Sequence, residues 1–309
     1  MKKITNLRIV FMGTPAFAVT SLQALVQADC NIIGVITSPD KPAGRGLQLQ
    51  QSAVKQYALS QGLNVLQPEK LKNETFIRQL KALQADVQVV VAFRMLPEVV
   101  WNMPPMGTIN VHGSLLPKYR GAAPINWAIM NGEKETGVTT FALKQEIDTG
   151  NILLQKAFAI GENDTAGIVH NTMMHHGAAL LLETLQGVVN NTITPVAQGS
   201  NNNTVTHAPK LTKETCFINW QQTSAQVHNH IRGLSPYPTA YTMLGNKTLK
   251  IFLATPNVTP HPYQAGTIHT DNKTYLKYAT TNGYITLLEV QLEGKKQMKI
   301  EDMLRGYRN

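Results

Sequence analysis

The apolar positions alternate between two patterns along the first half of the chain. Leu7 to Met12 is a continuous apolar run that ends at Gly13, as expected of a strand buried on both faces. Phe17 to Ala28 follows at helical spacing, with Phe17, Leu22, Leu25 and Val26 on one side. Asn31 to Thr37 is a second apolar strand. Ser52 to Ser60 predicts a helix, Asn64 to Leu66 a short strand, and Asn73 to Leu83 a helix carrying Phe76, Ile77, Leu80 and Leu83 on one face. Asp86 to Ala92 and Thr108 to Val111 read as further strands. Strands and helices alternating at these lengths predict parallel strands joined by right-handed crossovers. The fold class of this first domain is therefore α/β: an open, doubly wound sheet, with its site beyond the carboxyl ends of the strands.

The pattern then changes. Pro124 to Met130 reads as a helix, Gly137 to Leu143 and Asn151 to Phe158 as strands, and Ala166 to Val189 as a long amphipathic helix. Gln198 to Thr206, rich in Asn, Ser and Thr, has no apolar period and reads as a linker. Beyond it Ala225 to Arg232 looks helical. Short β-like runs at Thr248–Ala254, Ala265–His269, Tyr275–Thr280 and Tyr284–Val290, with turn signals between them, predict a small barrel. The expected division is a domain at 1–189, a linker at 190–208 and a second domain at 209–309.

Composition narrows the class. The 309 residues suit two domains. No apolar run reaches the roughly 18 residues of a membrane span. The short apolar stretch after Lys2 and Lys3 ends in a glycine turn and reads as a strand rather than a signal peptide. Two cysteines, Cys30 and Cys216, are too few for a disulfide framework or a multi-Cys zinc site. A soluble, cytoplasmic protein is expected. Net charge is +9, and it is unevenly spread. Residues 1–189 carry 16 basic and 13 acidic groups, residues 190–309 carry 12 and 6. A basic small barrel suits a polyanion such as nucleic acid, although a basic excess also serves solubility.

Three segments bear chemistry. Residues 13–18 read GTPAFA, which lacks the G-x-G-x-x-G of a dinucleotide turn, so NAD and ATP cradling are excluded there. Ser38 to Gly46 reads SPDKPAGRG, a non-regular loop from which Lys41 and Arg45 project. It is either a solvated loop or a basic finger for a phosphate backbone. INVHGSLLPKYRGAAP at 109–124 is the richest stretch. Residues two apart share a strand face, so Asn110 and His112 address one point. An Asn amide can donate to a developing oxyanion, and a His can donate to it or move a proton. Asp148, in EIDTG, would orient that His. Together these suit acyl transfer without a covalent intermediate, since no G-x-S-x-G elbow is present. Taken singly, each residue also fits a structural role. The pairs His175-His176 and His228/His230 lack metal-site spacing, and no metal is expected.

Five segments carry a resemblance: RIVFMGTPAFA at 8–18, PDKPAGRG at 39–46, INVHGSLLPKYRGAAPINWAI at 109–129, TGVTTFALKQEIDTG at 136–150 and IRGLSPYPTA at 231–240. Over nearly its whole length the chain resembles the methionyl-tRNA formyltransferases. The resemblance implies a Rossmann-like catalytic domain followed by an OB-fold-like β-barrel that binds tRNA. It implies 10-formyltetrahydrofolate as formyl donor and initiator methionyl-tRNA as acceptor, with no membrane partner and a monomeric chain. By position, Asn110, His112 and Asp148 match the catalytic residues. Ser114, Leu115, Leu116 and Pro117 match the folate-binding segment, and Val91, Phe93, Met95 and Leu96 fall in the stretch that holds the pterin. Lys41 and Arg45 match the loop that reaches the acceptor stem. The chain departs from the family at Ala16, where Asp is common, and at Phe93-Arg94, where a Tyr-Gly stretch is common. Two other readings use the same residues: a formyltransferase for an amino-sugar nucleotide or glycinamide ribonucleotide, and a non-catalytic RNA-binding protein on this scaffold.

Overall fold

The computed structural model describes residues 3–43, 48–199 and 205–306. The strands, in chain order, are β1 (Ile9–Gly13), β2 (Ile32–Ile36), β3 (Lys41–Ala43), β4 (Gln48–Gln50), β5 (Val65–Leu66), β6 (Val87–Val91), β7 (Thr108–His112), β8 (Arg120–Gly121), β9 (Glu135–Ala142), β10 (Ile152–Ala159), β11 (His207–Ala208), β12 (Ala240–Leu244), β13 (Lys247–Val258), β14 (Ile268–Thr270), β15 (Leu276–Ala279), β16 (Gly283–Leu292) and β17 (Met298–Lys299). The helices are α1 (Ala16–Gln27), α2 (Ala53–Ser60), α3 (Glu74–Ala82), α4 (Glu98–Trp101), α5 (Pro124–Met130), α6 (Ala166–Val189), α7 (Ser224–Leu234) and α8 (Ile300–Gly306). No described helix is long and apolar enough to cross a membrane.

Packing separates two compact units. One comprises 1–120, 137–158 and 171–207; the other comprises 121–136, 159–170 and 208–309. The expected cut after residue 189 therefore differs from the packing. Segments 121–136 and 159–170 belong with the second unit, and 198–207 belongs with the first.

The first unit is built on a seven-stranded sheet of order β10-β9-β7-β6-β1-β2-β5. Strands β7, β6, β1, β2 and β5 run parallel, as the alternating pattern predicts. β9 runs antiparallel to β7, a departure that the apolar pattern of residues 137–143 could not reveal. Every residue of β1 and β6 is buried, because both sides of the sheet are covered. Ile9, Phe11, Val35, Val87, Val89, Val91, Ile109 and Val111 share one core with Leu22 and Leu25 of α1 and Leu181 and Leu185 of α6. Val10, Met12, Ile36 and Val90 face the other side, against Phe76 and Leu80 of α3 and Val100 of α4. Each such side chain contributes about 1.5–3 kcal/mol on full burial. The helix starts are fixed locally. The Ser52 hydroxyl accepts from Lys55 N at 3.0 Å, and Asn73 Oδ1 accepts from Phe76 N at 3.2 Å. α1 starts after Pro15 with no side-chain cap and no acid in its first turn.

The second unit is an antiparallel half-barrel. Its sheet follows the order β12-β13-β16-β15-β14, with β17 added to β16. Val227, Ile231 and Leu234 of α7 fill its concave side with Leu249, Ile251, Ile285, Leu287 and Val290. α7 opens with a reciprocal cap between Thr223 and Gln226. β12 and α8 escaped the sequence reading. β12 lies directly after the SPYP segment, whose prolines mask its alternation.

Candidate active site

β7 enters the centre of the sheet between β6 and β9 and delivers the two polar side chains at its carboxyl end. Alternation puts Asn110 and His112 on the face shared with Val90 and Met12, opposite Ile109 and Val111. Asn110 is half-buried, and among the described residues its amide has no hydrogen-bond partner. His112 is 7% exposed and packs edge-on against the buried ring of Phe141, centroids 6.4 Å apart.

Asp148 arrives from the turn between β9 and β10, and its Oδ2 stands 3.7 Å from His112 Nδ1. It is 9% exposed and holds a left-handed φ of 54°, a conformation that Asp tolerates better than most residues. Two residues on, a Cβ on Gly150 would meet the Ala142 carbonyl oxygen at 1.7 Å, so only glycine fits. The other ring nitrogen, His112 Nε2, lies 2.9 Å from the Tyr119 carbonyl oxygen. A carbonyl only accepts, so Nε2 carries a proton and donates it there. The ring is thus held at both nitrogens, one by a backbone acceptor and one by a carboxylate.

Segment 114–117 is pinned by a closed network. Thr139 Oγ1 donates to the Ser114 carbonyl at 2.7 Å and accepts from Leu116 N at 3.1 Å. Gln155 Nε2 donates to the Leu116 carbonyl at 2.8 Å and to Thr139 Oγ1 at 2.9 Å. Ser114 is fully buried, and its hydroxyl donates to the Lys118 carbonyl at 2.6 Å. Ser114 and Leu116 therefore shape the loop from within, while Leu115 and Pro117 keep partial exposure. In the stretch after β6, the Val91 side chain is sealed in the core on the face away from Asn110. That leaves its backbone to contribute to a site. Phe93 and Leu96 are half-buried against the Met12 cluster, and Met95 is 72% exposed.

Gln198 escaped the sequence reading. It lies in the polar stretch taken as a linker, yet its amide nitrogen donates to the Asp148 and Gly150 carbonyls at 2.9 and 2.8 Å. Its oxygen accepts from Arg120 Nε and Nη2 at 3.0 and 2.7 Å. Thr206 adds a second tie. Its hydroxyl accepts from Tyr119 N at 2.8 Å and its carbonyl from Arg120 N at 3.0 Å. The polar composition of 198–206 signalled only solvent, because a residue that satisfies buried carbonyls looks the same in sequence as one that meets water. A cavity of about 640 Å³ opens beside this clamp, lined by Arg120, Lys144, Glu146, Thr149, Gln198 and His207.

The basic loop also differs from expectation. Lys41–Ala43 and Gln48–Gln50 pair as an antiparallel hairpin rather than an irregular loop. Lys41 is exposed on it; Arg45 lies outside the described residues. Asp40 just before it is engaged by Lys55 Nζ at 2.5 Å and Gln67 Nε2 at 2.7 Å, and these bonds hold its carboxyl below the ordinary value. Among the described residues no group of three His, Cys, Asp or Glu side chains could hold a metal ion.

Comparison with known proteins covers the whole chain. The family described as "Formyl transferase" matches residues 7–185, and "Formyl transferase, C-terminal domain" matches residues 210–308. The chain is 51% identical over 315 residues to a methionyl-tRNA formyltransferase of Bacteroides thetaiotaomicron, covering 100% of this chain and 98% of that one. It is 54% identical over 312 residues to one of Phocaeicola vulgatus, covering 98% and 96%. Among solved structures, a sugar 3N-formyltransferase, WlaRD, superposes with a TM-score of 0.67 at 23% identity, covering 94% of this chain and 99% of that one. HypX of Aquifex aeolicus, solved with tetrahydrofolic acid, superposes with a TM-score of 0.66 at 18% identity over 97% of this chain and 47% of that one. These two likenesses concern the fold.

Proposed function

The chain belongs to the methionyl-tRNA formyltransferase family, and from that premise we propose that it moves the formyl group of 10-formyltetrahydrofolate onto the α-amine of methionyl initiator tRNA. Full-length identity near 50% to formyltransferases of this one acceptor class carries the reading. The arrangement of Asn110, His112 and Asp148 at the end of β7 supports it chemically.

The methionyl amine attacks the formyl carbon. The carbonyl π bond opens, and the negative charge gathers on the formyl oxygen. Asn110 supplies an uncommitted amide donor to that oxygen, which is where a preorganised dipole contributes most. His112, held between the Tyr119 carbonyl and Asp148, is the second donor to that oxygen, and Asp148 relays the amine proton through water. The attacking nitrogen loses one proton and N10 of the folate gains one as the C–N10 bond breaks, so the transfer is balanced with no group added to the enzyme. The formyl oxygen draws the Nε2 proton of His112 from the Tyr119 carbonyl as its charge grows. Asp148 compensates the charge on the ring. Leu115, Pro117, Phe93, Met95 and Leu96, with the Val91 backbone, bound the folate. The buried Ser114 and Leu116 hold that segment in shape. Lys41 and Arg45 serve the tRNA phosphates, and the chain works as a monomer.

The test is direct. Purified protein is incubated with 10-formyltetrahydrofolate and initiator methionyl-tRNA, beside elongator methionyl-tRNA and an amino-sugar nucleotide. Formyl-methionine on the initiator alone is the expected outcome. Faster transfer to the sugar nucleotide would replace this acceptor by the alternative one.

A further inference from the structure

The sheet reverses direction between β1 and β6. From β1 the chain moves outward to β2 and β5, then returns to β6 on the opposite side of β1 and continues to β7. Loops leaving the carboxyl ends of two such strands diverge and open a crevice. Here that crevice is a cavity of about 460 Å³, lined by Thr14 after β1, Ser38, Pro39 and Lys41 after β2, Glu69, and Arg94 after β6. The cavity that the clamp borders has none of these residues in its wall.

Arg94 is fixed in place before any ligand arrives. Nη1 donates to the Glu69 carbonyl at 2.7 Å, Nη2 donates to the Pro68 carbonyl, and the guanidinium leans on the Phe93 ring at 5.5 Å. Its Nε is buried and has no partner among the described residues. Among the described residues no carboxylate pairs with it; its two bonds go to neutral carbonyls. Burial accordingly holds it below the ordinary arginine value. The acid nearest in sequence to Lys41, Asp40, is already engaged by Lys55 and Gln67. Lys41 and Arg94 thus face one lining acid, Glu69, and the hydroxyl-bearing Thr14 and Ser38 complete a wall suited to a tetrahedral oxyanion. A partly desolvated guanidinium with neutral partners gains more from an incoming anion than a solvated one.

We propose that this crevice seats a backbone phosphate of the tRNA acceptor end, with Arg94 as its prepositioned cation and Lys41 as the second. Arg94 lies within the stretch that the family resemblance assigns to the pterin, where it is the backbone that is implied and the Arg94 side chain carries no assigned role; the family commonly has a Tyr-Gly stretch at this place. The proposal rests on the tRNA acceptor proposed above. An RNA phosphate is favoured over a folate carboxylate because the second lining cation, Lys41, stands exposed on the β3–β4 pair at the rim of the crevice, where a polyanion that continues past the cavity can meet it.

The test compares wild type with Arg94→Gln, Arg94→Lys and Lys41→Gln. The quantities are KM for initiator methionyl-tRNA, KM for 10-formyltetrahydrofolate, and the dependence of kcat/KM on potassium chloride. Arg94→Gln should raise KM for tRNA about tenfold, leave KM for the folate unchanged, and flatten the log–log salt slope by about one. Arg94→Lys should fall between. A raised folate KM with an unchanged tRNA KM would show a carboxylate seat and overturn the proposal, as would no change in either. Since Arg94 also ties down two carbonyls, Arg94→Gln could misfold. Lys41→Gln, on an exposed side chain, then decides on the same readouts, and an unchanged tRNA KM and slope overturns the seat. Absent wild-type formylation would overturn the proposed function as well, whereas normal wild-type turnover with unmoved variants overturns the seat alone.

Discussion

The Gln198 amide nitrogen lies 2.9 Å from the Asp148 carbonyl oxygen and spans to that of Gly150 at 2.8 Å. One side chain thereby fixes the turn that presents the Asp148 carboxylate to His112. Arg120 in turn fixes Gln198 through two donors. Gln198→Ala should release that turn while leaving the substrates' own contacts in place. A displacement near 1 Å at a reacting group costs up to about a hundredfold. The expected outcome is a kcat lowered tenfold or more with both KM values nearly unchanged, and steady-state kinetics on the two substrates check it. Gln198→Glu keeps the acceptor for Arg120 but turns an oxygen on the two carbonyls, so an equal loss there would tie the effect to the amide donor. A rise confined to KM would instead make Gln198 a substrate contact.

Asn110 is the donor that the fold leaves uncommitted. Asn110→Ala should cost on the order of 10²–10³ in kcat, the usual loss for one oxyanion donor, with an unchanged melting temperature because the amide bonds to no described residue. Near-normal turnover would remove Asn110 from the chemistry.

Asp148 separates charge from shape. Its main-chain carbonyl holds Gln198, and its side chain faces His112. Asp148→Asn keeps the left-handed backbone accessible and leaves the Gln198 bonds intact. It should fold normally and lose about a hundredfold or more in kcat. Gly150→Ala should do the reverse: a Cβ set 1.7 Å from the Ala142 carbonyl oxygen forces the turn open. It should lower stability by about 1–3 kcal/mol and lose activity through displacement. Circular-dichroism melts beside the kinetics distinguish the two. An Asp148→Asn protein that melts as early as Gly150→Ala would show that the carboxylate is structural.

The legible parts of the molecule are those where one rule acts alone. The β1–α1–β2 run could be read because burial on both sheet faces leaves an uninterrupted apolar string. Asn110 and His112 could be paired because a strand repeats every two residues. The antiparallel β9 was not legible, since strand direction depends on where the chain returns and not on side-chain period. Gln198 was missed for a different reason. Its worth lies in two carbonyls fifty residues away, and nothing local marks a polar residue as serving them. Ser114 shows the converse: the segment expected from the resemblance to bind folate includes a serine whose hydroxyl donates to the loop's own Lys118 carbonyl. A motif identifies a place in the fold, and hydrogen bonds decide which of its residues face outward.

The half-barrel carries a pH dependence of its own. His228 on α7 is held below its ordinary value of 6.5 first by burial and then by the charge of Arg232, with the Ala254 carbonyl opposing. His230 is shifted in the same direction by burial, against the Cys216 carbonyl, and its Nε2 is buried without a partner among the described residues. Arg232 stays charged in place because the Gly161 and Asp164 carbonyls and Asn229 hold it. Both imidazoles therefore take up a proton less readily when folded than in the unfolded chain, whose histidines are protonated near pH 6.5. The unfolded state binds more protons below that pH, so stability is complete above it and is lost as pH falls through 6.5 and below. Each histidine contributes at most about 1.4 kcal/mol per pH unit. Melting between about pH 7.5 and 5 should show a falling transition temperature. His228→Gln, neutral throughout, should make that fall shallower even if it lowers stability at pH 7.5. Equal slopes in wild type and variant would show that His228 takes up its proton alike in the folded and unfolded chain.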